Sequence, residues 1–524
     1  MSLFRSGIIV GICTFLSRVI GYVRDMVITA TFGASFLTDA FNIAFRLPNL
    51  FRKLFAEGAF NSAFIPIFAS KLTVDGQEQS LLFSNRIMTL LCIAVALLVA
   101  IMQLAMPIVM YILAPGFIFI KPNAEDIELT IALSRIAMPY LLIISLVSLI
   151  SGVLNSFNRF LVASSTPILL NIAMICMLLI PTTSSATKIY LLLWGVVLGG
   201  IMQLGAVFIA AYHAGLRIKF AKPIMDTDTR LLMRNMIPGV IAGGVMQINI
   251  IIDQAIASFL PTGAISVLAY ADRISQLPLA IIGTAIGTVL LPTLSKQLRE
   301  GVRKRKVFYT QNRALEIALF FSIPATCIIV FIAHPLVLTL FQRGAFNAEN
   351  TKATADALSA FALGIPGYVM IKIFTPCFFA QYDTKTPLKI SCISLLVNVS
   401  LNVLFMQFLA HVGIALATSI ASWVTSALLY YKLRKRRMFI VDQQMFIRLP
   451  KIMLCALVMV ISMYLGKLLL LQDYVNASNL FGRIIGIVGI IVVGLVSYLA
   501  CIMFTKTVSL NEIKRLVRNK AQQQ

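Results

Sequence analysis

"LLCIAVALLVAIMQLAMPIVMYIL", residues 90–113, carries no formal charge and is apolar on every side of a helix. A helix crossing a hydrocarbon core of roughly 30 Å needs about 20 such residues. A membrane barrel strand would instead alternate apolar and polar positions over about ten residues. This stretch does not alternate, so it is expected to be a transmembrane helix. The rest of the chain agrees: 59% of its 524 residues are hydrophobic, 12% are charged, and the mean hydropathy is +0.92. Ordinary soluble domains are far more polar. Backbone groups in lipid must bond within their own segment. The expected fold class is therefore an all-α polytopic membrane protein.

Charge clusters and Pro/Gly/Asn turns divide the chain into fourteen expected spans. Six lie near 7–30, 36–66, 84–113, 129–155, 161–181 and 189–213, and six near 233–259, 264–292, 312–341, 357–380, 388–409 and 412–431. Two more lie near 449–471 and 483–504. The basic start and short apolar core of residues 1–21 suggest a signal peptide, but Arg18 interrupts the core and a second apolar segment follows at once. The first helix is expected to be retained.

The connections 214–235, 296–306, 431–451 and 506–520 hold 5, 6, 7 and 5 Lys or Arg, whereas those on the other side hold only Lys121, Lys188, Arg343, Lys352 and Arg483. The positive-inside rule then places both termini in the cytoplasm. Solvated faces near anionic lipid account for the net charge of +24, so no nucleic-acid partner is expected.

The two halves repeat. Arg46 in "FRLPN" answers Arg273 in "DRISQLP" at an offset of 227, and Pro66 in "FIPIFASKL" answers Pro292 in "LLPTLSKQL" at 226. Gly116 in "LAPGF" answers Gly344 in "FQRGAF" at 228, and Pro139 answers Pro366 at 227. Four ordered landmarks at nearly one offset indicate duplication. Six spans per copy is an even number, so both copies have the same orientation and are related by an axis along the membrane normal. The expected domains are an N-terminal lobe (1–220), a C-terminal lobe (221–440), and two further helices with a basic tail (441–524). Two such lobes are the design of a transporter; a static scaffold is the alternative.

Residues 21–58, "GYVRDMVITATFGASFLTDAFNIAFRLPNLFRKLFAEG", put charges where the chain is otherwise apolar. Each costs on the order of 2.5–3.5 kcal/mol at mid-bilayer, so these side chains are expected to face a cavity or one another. On an ideal helix Asp39, Asn42, Arg46, Lys53 and Glu57 fall within about 60° of one direction. Arg18 and Asp25 share a face of the first helix, and Arg24 lies about 100° round from Asp25. Arginine binds phosphate as a fork where lysine acts as a point charge. Arg18, Arg24, Arg52 and Arg273 together suit a diphosphate. Internal pairing, Arg24 with Asp25 or Arg273 with Asp272, is the alternative for each.

Other polar positions are sparser. Asp253 is a lone acid in "QINIIIDQAIAS", and Asn398 and Asn402 lie four apart in "LLVNVSLN". With Thr418 they make a candidate monovalent-cation site lined by oxygen; hydrogen bonding between helices is the plainer reading. Arg135 and Lys372 are expected to snorkel or pack. The eight cysteines are scattered singly through apolar runs and the three histidines lie far apart, so neither disulfides nor a metal centre is expected. The chain has no phosphate-binding G-x-x-x-x-G-K-[ST] loop, and the glycines of "GTAIGTVLLP" sit inside an apolar helix. A secondary transporter is expected, with no cofactor.

The stretches "SRVIGYVRD", "FGASFLTDAFNIAFRLPNLFRKLFAEGAFNSAFIP", "YADRISQLPLAIIGTAIGTVLLPTLS", "LFQRGAFN" and "FAQYDTKTP" resemble the MurJ (MviN) lipid II flippases of bacterial inner membranes, within the multidrug/oligosaccharidyl-lipid/polysaccharide exporter superfamily. The resemblance covers essentially the whole chain and implies a fourteen-helix plan whose last two helices help form a groove for a polyprenyl tail. It implies as substrate and partner lipid II, undecaprenyl-diphosphate bearing the peptidoglycan disaccharide-peptide, moved to the outer leaflet. Cell-wall synthesis enzymes are implied as further partners. The family's cavity arginines map onto Arg18, Arg24, Arg52 and Arg273, with Asp39 and Asn49 as polar neighbours. Gln276 stands where some members carry glutamate, and a cation site of some members maps onto Asp253, Asn398, Asn402 and Thr418. Coupling to a cation or to the membrane potential follows. The alternatives are a flippase for another polyprenyl-linked glycan, a drug exporter of the same superfamily, or, in another class, a polytopic glycosyltransferase using Asp25, Asp39 or Glu57 as its acid.

Overall fold

Helices account for nearly all of the computed structural model, which describes residues 3–53, 60–120, 123–471 and 479–506, with no strand among them. Glu57 and the tail beyond 506 lie outside the described residues. In chain order the helices are α1 (Leu3–Phe32), α2 (Phe36–Phe51), α3 (Phe60–Val74), α4 (Gly76–Leu113), α5 (Pro115–Phe119), α6 (Ala124–Ala137), α7 (Pro139–Ser156), α8 (Phe160–Leu178) and α9 (Ser185–His213). They continue as α10 (Thr227–Ala257), α11 (Ala264–Arg299), α12 (Lys304–Phe341), α13 (Ala348–Ala362), α14 (Ile365–Phe379), α15 (Lys385–Lys435), α16 (Gln443–Gly466) and α17 (Leu480–Phe504). Ten helices or joined helix pairs among the described residues are long and apolar enough to cross a membrane; α6 with α7 and α13 with α14 each form one of them.

Two boundaries show how composition and backbone differ. The apolar run expected from 84 belongs to a helix that begins at Gly76, because "GQEQSLLFSN" is polar without losing the ability to be helical. The break expected between 409 and 412 is a kink: Ala410 adopts φ 47° and ψ −128° inside α15. Gly413 just beyond has no side chain to oppose the Phe405 carbonyl, which would lie 2.5 Å from a Cβ there.

The chain divides into two compact units. The first is Met1–Ser266 with Arg343–Asn347, and the second is Val267–Gln342 with Ala348–Gln524. In the first, Phe60, Phe64 and Phe68 stack along one side of α3 at 5.2 and 5.4 Å between rings, and Phe83 of α4 stacks on Phe64 at 6.0 Å. Gly195 and Gly199 of α9 let the α8 backbone approach so closely that a Cβ would lie 3.0 Å from the Met174 Cα and 2.9 Å from the Leu170 Cα. Close packing of small residues holds helices together where lipid is as apolar as the side chains. Outside the spans, Asp226 caps α10 through the Thr229 amide and meets Arg86 at 3.1 Å. Burial pushes its carboxyl up, but the Thr229 and Arg86 bonds outweigh that and hold it below the ordinary value.

In the second unit α16 and α17 pack on α12, with Ile332, Met459, Met463, Ile487 and Ile490 all buried. A polar clamp secures α16 to α12: Glu316 on α12, 5% exposed, accepts from Arg313 and from Arg448 of α16, the latter at 2.5 Å. Arg313 also reaches Asp442, the N-cap of α16, at 2.7 Å. Removing one member of such a group leaves buried charge without a counterion. Between α14 and α15, Asp383 accepts from the Thr386 amide and hydroxyl at 2.9 and 2.6 Å and pairs with Arg436.

Two outcomes are expected. Glu316→Ala destabilises the second unit by about 3–5 kcal/mol, because two arginines lose one carboxylate; thermal unfolding in detergent measures it, against Glu316→Gln as the near-isosteric control. Burial raises the Asp383 carboxyl, yet bonds from Thr386 and Arg436 bring it from 3.8 to about 2. The folded value is the lower, so this stabilisation is complete above the ordinary value and is lost as pH falls through about 2. A pH series of melting temperatures, wild type against Asp383→Asn, therefore shows the wild-type advantage shrinking only on the acid side.

Candidate functional site

A helical wheel sets Arg24 and Asp25 apart, but the structure joins them. Both are buried, and the long guanidinium stem swings back so that Nη2 and Nε donate to Asp25 Oδ1 at 2.6 and 3.1 Å. Nη1 donates to Asn171 Oδ1 of α8 at 2.9 Å, and Asn171 Nδ2 returns a bond to the Ser17 carbonyl at 3.3 Å. The arginine is thus a fixed cation whose orientation two helices set. Arg18, a turn and more earlier on α1, is exposed.

Asp39 is 1% exposed and accepts three bonds at the beginning of α11: from the Gly263 and Ser266 amides at 2.6 and 2.8 Å, and from the Ser266 hydroxyl at 2.6 Å. These are the amide groups a helix start leaves unpaired, and the helix dipole favours an anion there. Asn42, one turn on, donates to the Ser266 hydroxyl at 3.2 Å, and Arg46 Nε donates to Gln254 of α10 at 2.6 Å. The charged stripe of α2 is therefore bonded to α10 and the first residues of α11. Arg52 closes α2, half-buried, with Nε donating to Asn49 Oδ1 at 3.2 Å. The expected site residues Arg52 and Asn49 thus touch each other.

These bonds sit beside a set of backbone contacts with repeat symmetry. Gly116 lies on Ser258: its amide donates to Ser258 Oγ at 2.8 Å, and a Cβ would lie 2.2 Å from the Ser258 carbonyl oxygen. Gly344, at φ +55°, lies on Ala30, whose carbonyl accepts from the Ala345 amide at 2.9 Å, and a Cβ would again lie 2.2 Å from it. Gly116 and Gly344 are 228 apart, and so are Ala30 and Ser258. Each copy's glycine meets the helix end of the other copy. Asp39 and Ser266, 227 apart, meet each other. This is the reciprocal pattern of an isologous interface, in which residues on the axis contact their own mates.

The second unit holds most of the remaining expected residues. Arg273 is exposed on α11, and Gln276 donates to Asp272 Oδ2 at 2.6 Å. Asn402 Nδ2 donates to Asn398 Oδ1 at 2.8 Å, Asn398 Nδ2 to Thr418 Oγ1 at 3.3 Å, and Thr418 Oγ1 to the Ile414 carbonyl at 2.9 Å. These three form one buried chain of neutral hydrogen bonds. Asp253 belongs to the first unit, where Asn249 Nδ2 donates to it at 3.2 Å. Lys372 lays its stem along Gly283, and Arg135 bonds the Gln103 carbonyl at 3.2 Å. Sequence reasoning passed over Asn171, Gln254, Ser258 and Ser266. Asn171 is a lone amide in an apolar helix, and the other three were open to discovery: Gln254 adjoins Asp253, while Ser258 and Ser266 are the repeat mates of Ala30 and Asp39.

The family described as Lipid II flippase MurJ matches residues 28–484. The "Probable lipid II flippase MurJ" of Rickettsia prowazekii is 40% identical, covering 97% of this chain and 99% of the relative. The lipid II flippase MurJ of Burkholderia cenocepacia is 34% identical, covering 84% and 85%. A solved structure of the lipid II flippase MurJ in an inward closed conformation superposes with a TM-score of 0.78 at 27% identity, covering 95% of this chain and 99% of that one. An inward-facing multidrug resistance MATE transporter of the MOP superfamily shares the fold, with a TM-score of 0.65 at 15% identity over 80% of this chain and 94% of that one.

The glycine contacts make a paired prediction. Gly344→Ala forces a methyl onto the Ala30 carbonyl at a left-handed φ and destabilises the protein by about 1–3 kcal/mol or more. Gly205→Ala, in α9 with nothing within 4 Å of the added carbon, is neutral or stabilising by up to about 1 kcal/mol. Melting temperatures of the two variants measured side by side check this; a Gly344→Ala protein as stable as wild type would remove the contact's significance.

Proposed function

The chain belongs to the MurJ lipid II flippase family, and we propose that it carries lipid II from the inner to the outer leaflet of the bacterial cytoplasmic membrane by alternating access. Arg18, Arg24, Arg52 and Arg273 take the diphosphate, with Asp39 and Asn49 as polar neighbours. The chain crosses the membrane fourteen times with both termini in the cytoplasm. Its moving parts are the repeat lobes 1–220 and 221–440, while 441–524 guides the polyprenyl tail. Transport, not bond-making, is its activity.

The observation that carries the alternating-access reading is the reciprocity of the glycine contacts. Two copies that meet through repeat-related backbone points can part and meet again by one symmetric motion. Arg24 supports the binding reading: a guanidinium held by Asp25 and Asn171 is oriented before any ligand arrives, which lowers the ordering cost of binding. Neutralising the diphosphate is then the signal that frees the contacts. With the cell interior negative, an anion moving outward gains about 2.3 kcal/mol per charge per 100 mV, so the membrane potential drives a substrate with two or more negative charges. A monovalent cation at Asn398, Asn402 and Thr418 is the other coupling we consider, and cell-wall synthesis enzymes are the protein partners this role calls for.

A glycosyltransferase reading finds less support. Asp25 and Asp39, nominated as its acid, already accept bonds from Arg24 and from the start of α11. A general acid must instead reach the reacting sugar.

In a strain depleted of its own lipid II flippase, the wild-type chain restores growth, while Arg24→Ala, Arg52→Ala and Arg273→Ala at matched membrane levels do not and leave lipid II in the inner leaflet. Rescue by all three variants would discard the arginine site, and failure of well-expressed wild type would point to another polyprenyl-linked glycan.

A further inference from the structure

Where α11 ends and α12 begins, the second unit carries a cleft of about 410 Å³ that the substrate reading leaves unused. Arg299 comes from the end of α11, Lys304 and Phe308 from the start of α12, Tyr382 from the turn after α14, and Arg436 and Arg437 from the turn after α15. Four cations thus converge from two separate connections, with Tyr382 added from a third. Only one of them has its charge matched: Arg436 pairs with Asp383, donates to Thr386 Oγ1 at 3.0 Å and lies over the Phe378 ring at 6.0 Å. Among the described residues Arg299, Lys304 and Arg437 form no ion pair, and the neighbouring Glu300 pairs with Lys296 at 3.8 Å. The cleft also has an apolar side, which includes Val307, buried, and Phe308, half-buried.

Converging cations without counterions repel each other until an anion arrives. Arginine forks favour phosphate oxygens. The apolar side favours a ligand whose charge is joined to hydrocarbon, and both bounding connections lie on the basic face that the positive-inside rule sets against anionic lipid. We propose that this cleft binds the phosphodiester headgroup of an anionic phospholipid of the adjacent leaflet. Arg436, already fixed by Asp383, is the orienting group; Arg299, Lys304 and Arg437 supply the unmatched charge.

The full chain, purified and placed in phosphatidylcholine nanodiscs with a small fraction of phosphatidylglycerol, tests this by native mass spectrometry after lipid stripping. Wild type retains one phosphatidylglycerol that Arg299→Gln/Arg437→Gln binds at least about tenfold more weakly, as expected for two lost cations beside an anionic lipid. Arg299→Lys/Arg437→Lys restores most of the retention. Melting temperatures of both double variants in phosphatidylcholine alone match wild type, since these side chains are exposed and form no hydrogen bond or ion pair among the described residues. Equal retention by the glutamine variant overturns the proposal. Displacement of the lipid by millimolar inorganic phosphate makes the cleft a free-anion site and overturns it too. Displacement by undecaprenyl diphosphate at the level that saturates transport makes it part of the substrate path and does the same. The growth-rescue assay with Arg24→Ala reports separately on the transport reading, so the two fail independently.

Discussion

A carboxylate withdrawn from water needs donors, and Asp39 finds three at the start of α11. Without them the charge would carry a desolvation penalty of several kcal/mol. The requirement fixes more than one side chain. Asp39 makes these three bonds only with α2 against residues 263–266, a placement that also brings Asn42 to Ser266 and Arg46 to Gln254. The same placement sets the Gly263 backbone on Ala34, where a Cβ would lie 2.5 Å from the carbonyl oxygen. One buried acid thus ties the chain's first helices to a segment more than two hundred residues later.

Much of this was legible before any coordinates, for a physical reason in each case. Charges inside apolar runs must be bonded or face water, so the stripe on α2 and the charges of Arg24 and Asp25 stood out. The duplication was visible as an offset, and the offset names contacts: Asp39 and Ser266 are mates that touch. The break near Ala410 was visible because Gly413 follows His411 in an otherwise uninterrupted apolar run. What stayed hidden depends on distance or phase. Asn171 pairs with Arg24 across 147 positions, a partner no local pattern names. The wheel put Arg24 away from Asp25 because it measures Cβ directions, and an arginine reaches far beyond its Cβ. The start of α4 was hidden because polar residues end an apolar run without ending a helix. Arg18 and Arg273 are exposed, and exposure alone does not tell what an arginine awaits.

The second unit meets the problem of buried polar groups in two different ways. Asn402, Asn398 and Thr418 satisfy one another as neutral groups, handing donors along a line that ends on a backbone carbonyl. Nearby in sequence, α16 is joined to α12 by charge, with Glu316 between two arginines. Neutral chains tolerate the loss of a member better than ionic ones, because no net charge is stranded. The charged bonds that join α16 to α12 are therefore the less forgiving of the two kinds, while α17 is held to the same helices by buried apolar packing.

The contacts of Gly116 with Ser258 and of Gly344 with Ala30 bear on how such a chain can change over time. Duplicated halves ordinarily drift in length, since surface loops absorb insertions at little cost. Here each copy must deliver a glycine and a helix end to the other at matching places. An inserted residue in one copy between these points shifts a contact that the opposite copy is still built to meet. The spacing of each half is thereby policed by the other, and an offset that holds at 226–228 across landmarks from Arg46 to Pro366 is the record that such mutual constraint leaves.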